Sequence, residues 1–243
     1  YYDAGDREFQ HHDFTILPNG NVLYIAAELI PAAEAVALGR DPGELRDGML
    51  MADKLVEVMP VGATGGVVVW EWRAIDHVIQ DRDPTKANYG DVAAHPERID
   101  FNYQGRPLFP DGWTHINGVD YDAATDTVLV SVRNYNELWA VDHGTTTAQA
   151  AGPAGDLLWR FGNPQASRAG DASDQVLFGQ HDAKWIDDGL PGAGHILVFD
   201  NGVDRLAGSF SRVLEIDMSG AATARPGQAD RNAAIVWSYV APM

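Results

Sequence analysis

His115-Ile116-Asn117, Val128-Leu129-Val130-Ser131, Glu137-Leu138-Trp139-Ala140-Val141-Asp142 and Leu157-Leu158-Trp159-Arg160-Phe161 follow one another as four short apolar runs. Valine, isoleucine, leucine and aromatic residues in runs of this length, separated by turn formers such as Asp122 to Asp126, favour β-strands. The same order stands upstream, in His12-Asp13-Phe14, Val22-Leu23-Tyr24-Ile25, Lys54-Leu55-Val56-Glu57-Val58 and Val67-Val68-Val69-Trp70-Glu71-Trp72. It stands again downstream, in His181-Asp182-Ala183, Ile196-Leu197-Val198-Phe199, Arg212-Val213-Leu214-Glu215-Ile216-Asp217 and Ile235-Val236-Trp237-Ser238-Tyr239. Four strands per repeat is the pattern of a propeller blade. The sequence therefore predicts an all-β fold, a β-propeller showing three four-stranded blades at about 8–73, 113–162 and 178–240, in a single domain over 1–243.

The intervals from Trp70 to Trp159 and on to Trp237 are roughly twice the ~40–45 residues of a compact blade, so long insertions are expected. They fall at about 29–51, with helical character from Pro31 to Leu38, and at about 74–111. Such insertions either build and cover a site or are solvated elaborations of the surface. Three blades of ordinary twist do not close a ring, because closed propellers have roughly four to eight. The chain is thus expected to be an incomplete propeller with open edges at its first and last blades.

The 243 residues carry a formal charge of −18, from 17 basic and 35 acidic side chains. A surface of that sign repels polyanions and argues against nucleic-acid binding, while a local Arg and His pocket can still reverse the field for a small anion. The absence of cysteine removes disulfides, thiolate metal sites and cysteine nucleophiles from consideration. No stretch approaches the ~18 apolar residues of a membrane span.

His12, His115 and His181 are read as equivalent positions in the three copies, so neighbouring blades would bring three imidazoles to one mouth of the channel. Arg133 stands just past the second strand of its blade, where the third copy has Asn201 and the first Glu28. Histidines in this pattern serve as nucleophile, acid or base, as metal ligands suited to zinc or copper, or as struts tying strands together. A nearby arginine opposes a metal cation, and no metal is expected. Trp70, Trp159 and Trp237 are expected as core aromatics, whereas Trp113, Phe101 and Tyr103 are candidates for stacking on a ring-shaped ligand. Asp120, Asp122 and Asp126 lack the glycine and distal glutamate of a calcium loop and fit a hairpin turn.

His11-His12-Asp13-Phe14 with Leu17-Pro18-Asn19-Gly20-Asn21, Trp113-Thr114-His115-Ile116-Asn117, Ser131-Val132-Arg133-Asn134 and Gly179-Gln180-His181-Asp182-Ala183 occur in that order. Together they resemble the motifs of the bacterial arylsulfate sulfotransferases, the PAPS-independent aryl sulfotransferase family, from about His11 to Tyr239. The resemblance implies a six-bladed propeller that moves a sulfuryl group from an aryl sulfate to a phenol without a cofactor, through a transiently sulfated histidine. It implies His181 as nucleophile, with His115, Arg133 and the His11-His12 pair holding the sulfate oxygens. Within the pair His12 is chosen, because its His-Asp step aligns with His181-Asp182. His11, Asn117 and Trp113 are expected to contact substrate. The partners implied are small aryl sulfates and phenols, oligomerisation is left open, and the implied location is periplasmic or secreted. The alternatives are a noncatalytic propeller binding anionic aromatics or a protein partner, and a hydrolase that passes the group to water.

Overall fold

The computed structural model describes residues 7–45, 48–105, 112–220 and 233–240. The ends of the expected domain, 106–111 at the close of the second expected insertion, and 221–232 within the expected third copy lie outside the described residues. The architecture is all-β with few, short helices. The first sheet is built of β1 (Glu8–Ile16), β2 (Val22–Pro31), β3 (Met49–Val61) and β4 (Gly65–Arg73). A small parallel pair, β5 (Val78–Ile79) and β6 (Ile99–Asp100), follows. The second sheet holds β7 (Ile116–Asp122), β8 (Thr127–Val132), β9 (Glu137–Asp142) and β10 (Trp159–Phe161). The third holds β11 (His181–Trp185), β12 (Ile196–Asp200), β13 (Arg212–Asp217) and β14 (Ala234–Tyr239). Each four-stranded sheet is an antiparallel meander in which consecutive strands pair.

The two-residue period of a strand explains how the sheets stack. Along β8 every residue is buried, and alternate side chains feed different cores. Val128, Val130 and Val132 join Leu23, Ile25, Leu55 and Trp72 between the first and second sheets. Leu129 joins Ile196, Val198, Leu214 and Ile216 between the second and third. The second sheet is thus covered on both faces, which is why its strands read as continuous apolar runs. By contrast β12 alternates, with Ile196 and Val198 buried and Leu197 and Phe199 exposed.

Two local expectations are corrected, and one of two open alternatives is removed. The first insertion begins later than Leu29, because β2 and β3 stay in register out to Pro31 and Met49 before helix α1 (Ala32–Ala37) turns the chain. The stretch after Ala74 is no solvated elaboration, since Ile75, Val78, Ile99 and Phe101 are part of the main core. Trp70 and Trp159 are buried, but Trp237 is 47% exposed. It sits on β14, whose residues are all exposed, and stacks on Tyr239.

Candidate active site

The first strands of the three sheets are the ones that meet, with β7 packed between β1 and β11. Polar side chains fix their alignment. Asp13 on β1 accepts from the Val119 N–H of β7 at 3.1 Å and pairs with Lys184 of β11 at 2.9 Å. Lys184 also donates to the Val119 carbonyl at 2.7 Å, and Asp120 accepts from the Trp185 N–H at 2.7 Å. Gly118 belongs to this seam because a Cβ there would stand 3.3 Å from the backbone nitrogen of Asp182. Asp122, Thr125 and Asp126 meanwhile close the β7–β8 hairpin with local hydrogen bonds.

At the other end of this seam each first strand carries an irregularity. Register shifts fall between Gln10 and Phe14, between Ile116 and Gly118, and between His181 and Lys184. His12, His115 and Asp182 have φ of 56°, 55° and 53°, a left-handed conformation that ordinary residues adopt at a cost of about 1–3 kcal/mol. Bulges of this kind re-aim side chains. Here they turn histidines out of the strand ladder and toward one another.

Strand register also corrects the equivalence of the three histidines. Ile16, Tyr121 and Trp185 pair with the equivalent residues Val22, Val128 and Ile196. Along the ladders His181 faces Phe199, whose equivalent Ser131 faces Gly118, and His12 falls in the bulge opposite the equivalent Ile25, whereas His115 lies nearer the start of its strand, where its carbonyl accepts from the Arg133 N–H. The residue matching Arg133 and Asn201 in the first sheet is Ala27 rather than Glu28. Glu28 instead pairs with Arg73 at 2.7 Å.

The imidazoles come together even so. His12 lies edge-on to His115 with ring centroids 4.8 Å apart, and edge-on to His11 at 4.9 Å. The Nδ1 atoms of His11 and His12 are 2.6 Å apart. His181 is half-buried, and its Nδ1 lies 3.1 Å from the carbonyl of Gly179, a residue whose φ of 68° turns that carbonyl under the ring. The Asn201 amide nitrogen stands 2.6 Å from the same Nδ1. With Nδ1–H donating to Gly179 the lone pair would lie on Nε2, as attack by that nitrogen requires, whereas the other tautomer would accept from the Asn201 amide at Nδ1. Arg133 is anchored by its own N–H on the His115 carbonyl at 3.0 Å, and its guanidinium acts electrostatically on both His115 and His181.

Burial disfavours the charged form of His12, His115 and His181. For His115, burial is the first cause, followed by the neighbouring His12, and its pKa is pushed down to about 4. His12 is lowered by burial and then by His11, and His181 by burial, with Arg133 adding to the shift. At neutral pH His115 is uncharged and the shifts of His12 and His181 favour their neutral forms, which leaves Arg133 as the permanent cation acting on His115 and His181. Since the unfolded chain protonates near 6.5 and the folded rings resist it, the unfolded state holds more protons through this window. Stability is therefore full above pH 6.5 and declines as pH falls from there toward about 4. Thermal unfolding followed between pH 7.5 and 4.5 should show this slope, and His115→Gln should flatten it.

Two expected substrate contacts sit elsewhere than the sequence suggests. Trp113 is 3% exposed, edge-on to Phe101 at 5.0 Å, and donates from Nε1 to the Tyr135 hydroxyl at 2.7 Å. Neither it nor the fully buried Phe101 offers a face to a ligand, because the insertion after Ala74 packs over them. Tyr103 is half-buried, against Tyr135. Asn117 is buried and donates to the Gln180 carbonyl at 2.8 Å, which makes it a tie between β7 and the residue before His181.

Asp53 escaped the sequence reading. It is 1% exposed on β3, accepts from the Thr114 hydroxyl at 2.5 Å and the Ile116 N–H at 2.7 Å, and stands 3.0 Å from His11 Nε2. Its signal is the charged step Asp53-Lys54 inside the otherwise apolar run Met49 to Val56. A cavity of about 350 Å³ opens beside His11 and His12. A larger one, about 830 Å³, lies at the opposite end between the second and third sheets. Its titratable lining is mostly carboxylate, Glu97, Asp122, Asp156 and Asp217, the wrong sign for an anion, so the histidine cluster is the candidate site.

A comparison with curated proteins gave no match. The family model described as Arylsulfotransferase (ASST) matches residues 4–242, which takes in every histidine of the cluster together with Arg133 and Asp53. Over nearly its whole length, then, the chain belongs to the arylsulfotransferase family.

Proposed function

We propose that the protein transfers a sulfuryl group from an aryl sulfate to a phenol through a sulfated His181, in a ping-pong cycle that uses no cofactor. The observation that carries this is the edge contact of His12 with His11 and His115, with Arg133 tied by its backbone to His115 and the His181 Nδ1 against a backbone carbonyl. In the first step the Nε2 lone pair attacks sulfur, the S–O bond to the aryl group breaks, and phenolate leaves in line. The three remaining sulfuryl oxygens carry charge through the transition state, and Arg133 and His115 are the groups that would stabilise it. In the second step the oxygen of an incoming phenol attacks the same sulfur, the N–S bond breaks, and its electron pair returns to Nε2. A neutral histidine beside the sulfur takes the proton of the incoming phenol and passes it to the phenolate that departs in the next turnover, so that the proton balances over the cycle.

The same proposal includes the propeller. The outward faces of the first and third sheets expose Phe14 and Ile16, and Leu197 and Phe199, as the faces of blades awaiting neighbours would. Export to the periplasm or beyond belongs to it too, by family resemblance. Among the described residues no helix is long and apolar enough to cross a membrane.

The test is intact mass spectrometry after mixing with 4-nitrophenyl sulfate alone, with peptide mapping across Gly179 to Lys184. One sulfuryl group should be gained on His181 and discharged when a phenol is added. Nitrophenyl sulfate bound without release of nitrophenol would favour a noncatalytic binding site instead, and discharge at a rate indifferent to phenol would indicate a hydrolase.

A further inference from the structure

We propose that Asp53 and His11 form a relay that holds His12 in the tautomer with its basic Nε2 turned to the substrate, making His12 the group that exchanges the phenol proton. The proposal rests on sulfotransfer through His181 and names the proton carrier for it.

The geometry runs outward from the carboxylate. Asp53 is buried beneath the strand start that bears His115, and its Oδ2 is already taken by the Thr114 hydroxyl and the Ile116 N–H. Its Oδ1 faces His11 Nε2 at 3.0 Å, ion-pair distance, though off the axis of a strict ring N–H hydrogen bond. A carboxylate this near favours the ring proton on that nitrogen, which places the lone pair of His11 on Nδ1. The Nδ1 of His12, 2.6 Å away, must then be the donor, since two lone pairs at that distance repel. With its proton committed there, His12 keeps the lone pair on Nε2. Three side chains thereby settle one tautomer.

The consequence is chemical. When a phenol attacks the sulfated His181, its O–H proton goes to His12 Nε2, and the imidazolium formed is stabilised through His11 by Asp53. In the opposite half-reaction the same proton returns to the leaving phenolate oxygen. Asp53 and His11 touch neither sulfur nor oxygen and are positioning residues, whereas His12 is the catalytic acid and base.

A general base matters in proportion to how reluctantly the acceptor gives up its proton. The experiment is transfer from 4-nitrophenyl sulfate to a series of phenols from acidic to weakly acidic, in wild type, Asp53→Asn and His11→Gln. Asp53→Asn disturbs the hydrogen bonds to Thr114 and Ile116 as well, while His11→Gln leaves them in place, so the second variant separates relay from scaffold. For both, turnover with weakly acidic phenols should fall by about 10²-fold and with the most acidic phenols by only a few-fold, steepening the dependence on acceptor acidity. An equal loss across the whole series in folded His11→Gln would overturn the relay, leaving His11 a packing residue. Failure of wild type to form the His181 adduct would remove sulfotransfer itself, and the relay with it.

Discussion

His181→Ala should cost the enzyme at least about 10³-fold in aryl transfer and abolish the covalent adduct, while leaving the fold unchanged. The ring lies at the start of β11, is half-buried, and has as its recorded partners the Gly179 carbonyl and the Asn201 amide. Truncation therefore removes the proposed nucleophile without removing a tie between the sheets. The seam that holds β11 against β7 runs instead through Lys184, Asp120 and Gly118. A small cationic pocket would survive, with Arg133 and His115 still available to a sulfate. Added imidazole should consequently restore part of the transfer in His181→Ala, because a free ring can occupy the vacated space and accept the sulfuryl group. Aryl sulfate should still bind with a dissociation constant within several-fold of wild type. Retention of wild-type turnover in the variant, measured by nitrophenol release in the presence of phenol, would exclude His181 as the carrier.

The sheets were legible in the sequence because strand signals are local. Val128 to Val132 and Ile196 to Phe199 announce themselves by composition, and turns such as Asp122 to Asp126 punctuate them. Family motifs pointed to His11, His12, His115, Arg133 and His181, and of these the structure puts the rings of His11, His12 and His115 in mutual edge contact. What stayed hidden depends on pairing between distant segments. A bulge is a mismatch between two strands, so the position of His115 relative to His12 and His181 could not be counted along one strand. Trp113 looks like a ligand platform until the chain from Ile75 to Phe101, remote in sequence, packs over it. Asp53 contacts His11 and Thr114 across separations of roughly forty and sixty residues, and a single carboxylate in a strand has no motif to betray it. Trp237 matched its counterparts in spacing, but burial depends on a neighbouring layer that β14 lacks among the described residues.

Replacement of Arg160 by methionine should destabilise the protein by about 3–5 kcal/mol, lowering the thermal midpoint by roughly 10 °C. Arg160 and Glu137 are both fully buried, paired through Arg160 Nε and Glu137 Oε1 at 2.9 Å and through a second contact from Nη2 to Oε2. The guanidinium also donates to the Arg98 carbonyl at 3.1 Å, which ties the second sheet to the segment after β5. Removing the cation leaves a carboxylate in a dry interior with the Trp139 Nε1–H, at 2.7 Å, as a remaining donor. A charge so placed takes up a proton or admits water, and either outcome loosens the packing. The effect should reach the site, because the Glu137 carbonyl accepts from the Gln180 side chain at 2.9 Å, one residue before His181. Asn136 beside it holds the Gly179 N–H at 2.7 Å. Activity should therefore fall with stability in Arg160→Met, unlike His181→Ala, which spares stability. Adding Glu137→Gln to Arg160→Met should recover part of the lost stability, since the cost lies in the stranded charge rather than in the missing pair. Chemical denaturation of the two single variants and the double variant closes the cycle. Strict additivity of the losses would mean that the two side chains do not act as a buried ion pair.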